Sequence, residues 1–234
     1  MKILVFDDSE LHRKSAAALL KGHDLTIVST YDEAQAVLDP EIDEDLAKRL
    51  LVEAGWPEGF NAYSQEVSKE RRESYLNQRT EFHKKATPVP DFDVVLTDLM
   101  VPASKQAMGG AGMRLAGQEM GLGTTIAFLA LSKGVKLVAV ITDMSHHAHP
   151  ASAALDCFTW EGTFSVGDAK VLLDNGNVIT RVDAETFEEL SDKFLNSEEG
   201  KKKYPYNETT GGKDGVVWAK AWHQTLEKLM AGPE

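Results

Sequence analysis

Two apolar runs that each end in acid constrain this chain more than any other feature. Lys2-Ile3-Leu4-Val5-Phe6 runs into Asp7-Asp8-Ser9, and Phe92-Asp93-Val94-Val95-Leu96-Thr97 runs into Asp98-Leu99-Met100-Val101-Pro102. Short Val/Ile/Leu-rich runs without alternation predict strands buried on both faces of a parallel sheet. In open α/β sheets the functional crevice lies beyond the carboxyl ends of such strands. Asp7, Asp8 and Asp98 are therefore expected to converge, although about ninety positions separate the two motifs. Three carboxylates in one crevice repel each other, which raises pKa values or recruits a hard cation such as Mg²⁺. That geometry suits an aspartate that accepts a phosphoryl group beside a metal.

The rest of the chain fits the same architecture. A helix is expected over Leu11 to Leu20 with Ser9 as cap, then a strand from Leu25 to Ser29. A second helix starts near Tyr31, with Asp32 and Glu33 in its first turn, and stops by Pro40. About fifty residues, 41–90, then precede the second acid motif, too many for a structureless loop. Ile42, Leu46, Leu50 and Leu51 mark one helix there, and Val67, Tyr75, Leu76 and Phe82 mark a charged one from Tyr63 to Lys85. Beyond Asp98 come a loop over 103–123, a helix at 124–132, and a strand from Lys136 to Thr142. A short helix follows at 151–155, then a strand at Ala169–Leu173 and a helical piece at 184–195. Val217, Trp218, Ala221, Trp222, Thr225, Leu226 and Leu229 repeat at helical spacing and predict one closing helix over about 216–230.

The acid motifs, with Thr142 in Val138-Ala139-Val140-Ile141-Thr142-Asp143, resemble the receiver (CheY-like) domain of two-component response regulators. Gly109-Gly110 also falls about where receivers carry a glycine after the acceptor loop. The resemblance implies a single flavodoxin-like domain over 1–234. Its sheet would be doubly wound, mostly parallel and five-stranded, in the order 2-1-3-4-5, with 41–90 as a helical insertion. It implies that Asp98 accepts a phosphoryl group and that Asp7, Asp8, Asp98 and the backbone carbonyl of Met100 hold Mg²⁺. Thr142 would donate its hydroxyl to a phosphoryl oxygen. Receivers also place a lysine after the fifth strand, and here that strand exits at Asp174-Asn175 without one. Lys170 is the candidate in its place, although it stands at the strand's entrance, roughly 10 Å away at about 3.3 Å per residue.

The implied function is a stand-alone response regulator rather than a turnover enzyme. A histidine kinase or phosphotransfer protein would supply the phosphoryl group, and a downstream protein partner would read the change. Two alternatives stay open: a receiver-like binding scaffold that works without phosphorylation, and a metal-dependent phosphohydrolase. The second draws on His146, His147 and His149, since a run of imidazoles near carboxylates could ligate a transition metal. Net charge is −12, from 37 acidic against 25 basic residues, which argues against direct nucleic-acid binding through a broad basic face. Only one cysteine, Cys157, is present, and no apolar run nears the roughly eighteen residues of a membrane span. Neither a signal peptide nor a membrane partner is expected, and the expected compartment is the cytoplasm.

The charged insertion helices carry few apolar positions each, so a homodimer through residues 41–90 is a candidate use for them. Light scattering of a variant lacking 41–90 should then report a smaller species than the full chain. An unchanged oligomeric state would remove the dimer.

Overall fold

A computed structural model describes residues 1–104, 110–143, 149–158, 163–175, 179–182 and 217–231. The strands are β1 (Lys2–Phe6), β2 (Asp24–Val28), β3 (Val94–Asp98), β4 (Val101–Pro102), β5 (Glu119–Met120), β6 (Leu137–Thr142), β7 (Thr163–Val166), β8 (Ala169–Asn175), β9 (Ile179–Val182) and β10 (Val217–Lys220). The helices are α1 (Glu10–Leu19), α2 (Tyr31–Leu38), α3 (Glu44–Glu53), α4 (Lys69–Ala86), α5 (Gly123–Ser132), α6 (Pro150–Ala154) and α7 (Trp222–Met230). The chain divides into two compact units, residues 1–35 with 91–234, and residues 36–90. No helix among the described residues is long and apolar enough to cross a membrane.

The first unit is α/β. Its six-stranded sheet runs β2-β1-β3-β6-β8-β7. The first five are parallel and β7 closes the edge antiparallel to β8, so the expected five strands gain a sixth. Gly167, with φ +61°, opens the two-residue turn between β7 and β8, a conformation that glycine adopts without strain. In the central strands alternate residues turn to opposite faces. Ile3, Val5, Val94, Leu96, Ala139, Ile141 and Leu172 form one core with Ala16 of α1, Leu20 at its C-cap, and Trp222, Leu226 and Leu229 of α7. Leu4, Val95, Val138 and Val140 are buried on the other side. The right-handed β3–α5–β6 crossover brings α5 there, with Ile126, Ala127 and Ala130 buried.

The C-terminal segment departs from its sequence pattern. One helix was expected over 216–230, but Val217–Lys220 is a strand paired antiparallel with β9, and α7 starts only at Trp222. Val217 and Trp218 favour extended backbone, and tertiary pairing overrides the helical spacing of the apolar positions. The helix expected at 184–195 lies outside the described residues.

In the second unit the two expected helices are α3 and α4, which pack on each other. The second begins at Lys69 rather than Tyr63, because the Ser68 hydroxyl caps it by accepting from the Arg71 N–H. Trp56, Phe60 and Tyr75 join them, with ring centroids 4.8 to 5.1 Å apart.

At Gly123, where α5 starts, an added Cβ would come 1.7 Å from the Asp98 carbonyl oxygen. Backbone, unlike a side-chain tip, cannot swing away. Gly123→Ala should therefore cost about 3 kcal/mol in urea unfolding, through overpacking directly behind Asp98. A loss under about 1 kcal/mol would contradict this packing.

Candidate functional site

The strand order reverses beside β1, since α1 leads outward to β2 while the later strands add on the β3 side. Such a reversal leaves a crevice beyond the carboxyl ends of the two strands. Phe6 pairs with Thr97, so Asp7 and Asp98 follow at neighbouring strand ends. Asp7, Asp8 and Asp98 each place a carboxylate oxygen within 4.8 Å of the others. Asp7 and Asp98 are buried and Asp8 is half-buried. Backbone contacts hold the turn after β1. The Ser9 N–H donates to Asp7 Oδ1 at 2.9 Å, and Arg13 Nη1 donates to the carbonyls of Asp7 and Asp8 at 2.8 and 2.6 Å. Ser9 stands at the α1 cap position, but its hydroxyl makes no capping bond. Thr142, also buried, ends β6 one residue beyond the partner of Asp98. Met100 is buried two residues past Asp98.

A residue that the sequence reading passed over completes the cluster. Lys220, the last residue of β10, has a side chain only 1% exposed, with its ammonium among the acids. Its Nζ donates to Asp7 Oδ2 at 2.6 Å and lies 2.8 Å from Asp98 Oδ1. The second approach is a close, buried ion pair. Asp143 Oδ1 stands 3.9 Å from the same nitrogen. Asp143 Oδ2 in turn lies 3.0 Å from Nε2 of His12, a buried residue of α1. His12 Nδ1 accepts the Lys220 N–H at 3.3 Å, so its proton sits on Nε2, facing Asp143. The signal for Lys220 was present: a short β-prone run, Val216-Val217-Trp218-Ala219, ends in a charged residue, as both acid motifs do. The helical spacing of its neighbours hid it.

One ammonium among four carboxylates leaves an excess of negative charge. Burial drives the Asp98 carboxyl well above its ordinary range; Lys220 opposes the rise, and Asp7 and Asp143 add to it. Burial, with the Asp7 charge behind it, pushes Asp8 up to about 6. Burial would raise Asp143 too, but the His12 hydrogen bond and the Lys220 charge outweigh it and hold that carboxyl below the usual range. For Lys220, burial works against the charge, yet Asp7, Asp98 and Asp143 hold its pKa well above the ordinary lysine value. Asp7, Asp8 and Asp98 together could hold a metal ion, since their carboxylate oxygens form an all-oxygen donor set.

Two further groups of candidates stand elsewhere or outside view. Lys170 is the second residue of β8, and its ammonium bonds the Lys228 and Ala231 carbonyls at the end of α7. Its neighbours are thus helix-end carbonyls, which a lysine satisfies well, and the cation beside Asp98 is Lys220. His149 caps α6, its Nδ1 accepting the Ala151 N–H at 3.0 Å. His146 and His147 lie outside the described residues, as does Gly109, while Gly110 starts a 3₁₀ turn. No family model matches the chain, and no curated protein or solved structure matches it.

The raised Asp8 pKa has a stability consequence with a definite sign. A carboxyl that holds its proton more tightly when folded stabilises the fold while protonated. For Asp8 that contribution is lost as pH rises from about 4 to about 6. With a chelator present, the melting temperature of the native chain should fall across this window relative to that of Asp8→Asn. Parallel curves for the two proteins would show that Asp8 titrates as an ordinary surface acid.

Proposed function

We propose that this chain is a phosphoacceptor of the receiver type, in which Asp98 takes a phosphoryl group from a phosphodonor and the altered rim changes affinity for a protein partner. The observation that carries this reading is the Lys220 ammonium, 2.8 Å from Asp98 Oδ1, within the acid cluster at the strand reversal. Five parallel strands that follow the chain as 2-1-3-4-5 support a flavodoxin- or receiver-like scaffold, with β7 as an added edge. Asp98 supplies the attacking carboxylate oxygen; a bond forms from it to phosphorus, and the donor's bond to phosphorus breaks with its electron pair. Lys220 would neutralise a phosphoryl oxygen, and Thr142 would donate its hydroxyl to another. Asp7, Asp8 and Asp98 would hold Mg²⁺, a hard cation suited to an all-oxygen donor set. When bound, it supplies positive charge to the phosphoryl oxygens. The scaffold alternative drew on a missing lysine, and Lys220 supplies that cation from another strand.

The donor on this reading is a histidine kinase, a phosphotransfer protein or a small acyl phosphate, and the chain is acceptor rather than turnover enzyme. Incubation with acetyl phosphate and Mg²⁺ should add one phosphoryl group to the intact mass. Asp98→Ala should abolish the gain, and Lys220→Met should lower it by at least about tenfold. No gain in the native chain, or an equal one in Asp98→Ala, would refute the proposal.

A further inference from the structure

His12 and Asp143 stand against the acceptor cluster without being needed to hold either a metal or a phosphoryl group. The His12 ring is fixed at both nitrogens, by the Lys220 N–H on Nδ1 and by Asp143 on Nε2. Its own backbone carbonyl accepts from Trp222 Nε1 at 2.8 Å. With the ring so held, its Nε2–H fixes one oxygen of Asp143, and the other faces the Lys220 ammonium at 3.9 Å. Asp143 is about a third exposed, so it could turn to water, yet it is held towards the buried cation. We propose that Asp143, aligned by His12, is a positioning residue that competes with Asp98 for the charge of the Lys220 ammonium and so weakens anion binding at the acceptor carboxylate. This inference rests on the phosphoacceptor reading of Asp98.

The physical argument is competition for one charge. Asp7, Asp98 and Asp143 all face a single ammonium, at 2.6, 2.8 and 3.9 Å. An anion attached to Asp98 must recruit that ammonium, and each further carboxylate beside it raises the cost. Since Asp143 Oδ1 and Asp98 Oδ1 share one nitrogen, no more than about 7 Å separates them. At that range, in a partly buried site, one unit charge changes an anion's affinity by about tenfold. His12 sets the direction of Asp143, and its effect is therefore exerted through that residue.

Beryllofluoride, an anion that mimics a phosphoryl group on an aspartate, is the probe, titrated calorimetrically into the full chain at saturating Mg²⁺. Asp143→Asn keeps the shape and removes the charge, and should bind the probe about tenfold more tightly. His12→Asn, which retains an acceptor for the Lys220 N–H but is too short to reach Asp143, should shift affinity the same way. His12→Gln, whose amide nitrogen replaces Nε2–H, should stay close to the native value. Damage to the fold would weaken binding, so a gain separates positioning from a structural role. If buried His12 variants fail to fold, Asp143→Asn alone decides. Native protein that binds the probe while Asp143→Asn binds it equally or more weakly overturns this inference and leaves the Asp98 reading intact. Native protein that binds no beryllofluoride removes both.

Discussion

The Lys220 ammonium is a unit charge on a side chain that water scarcely reaches, and it survives there only because carboxylates take the place of its hydration. Asp7 and Asp98 make the closest contacts, and Asp143 adds a third charge. Much of the C-terminal segment is arranged around that requirement. Ser15 Oγ donates to the Lys220 carbonyl, the Lys220 N–H donates to His12, and Trp222 Nε1 donates to the His12 carbonyl. These bonds tie α1 to β10 and α7 across 205 to 210 positions of sequence. Each is a buried polar contact whose loss would leave a donor or acceptor unsatisfied. The cation is thus held by backbone placed on the sheet core and not by a flexible surface arm.

The apolar core and the charged cluster depend on each other. Residues alternating along β1, β3 and β6 fill both faces of the sheet, which brings the ends of β1 and β3 into register. The carboxylates then meet because the strands they end are neighbours. Gly123 lets α5 start directly against the Asp98–Leu99 backbone, with its N–H donating to the Leu99 carbonyl at 3.0 Å. A single methyl there would push α5 and the end of β3 apart.

Among the described residues the cluster is short of positive charge. Lys220 cannot balance Asp7, Asp8, Asp98 and Asp143 together, and burial with the remaining negative charge raises the pKa of the Asp98 and Asp8 carboxyls. A divalent cation would relieve the same deficit by another route, with proton and metal competing for the same oxygens. Asp143 differs because His12 gives it a hydrogen-bond donor of its own. Two carboxyls in one small site are thereby pushed in opposite directions, Asp98 up and Asp143 down.

What the amino-acid sequence determined by itself is what local composition can encode. Unbroken Val/Ile/Leu runs mark strands buried on both faces, and the acid after each run marks its carboxyl end, so the convergence of Asp7, Asp8 and Asp98 was legible. The two insertion helices were legible from apolar spacing, and α5 was expected over 124–132. The edge strand β7 went unread, although Gly167-Asp168 between two β-prone runs is a hairpin signal. Whether Lys220 and His12 join the cluster was decided by tertiary structure. In sequence Lys220 sits among apolar residues at helical spacing, and only pairing with β9 makes it a strand end. A lysine also gains a buried place only where carboxylates from distant strands already wait. That condition is set by residues some two hundred positions away, and no window along the chain contains both.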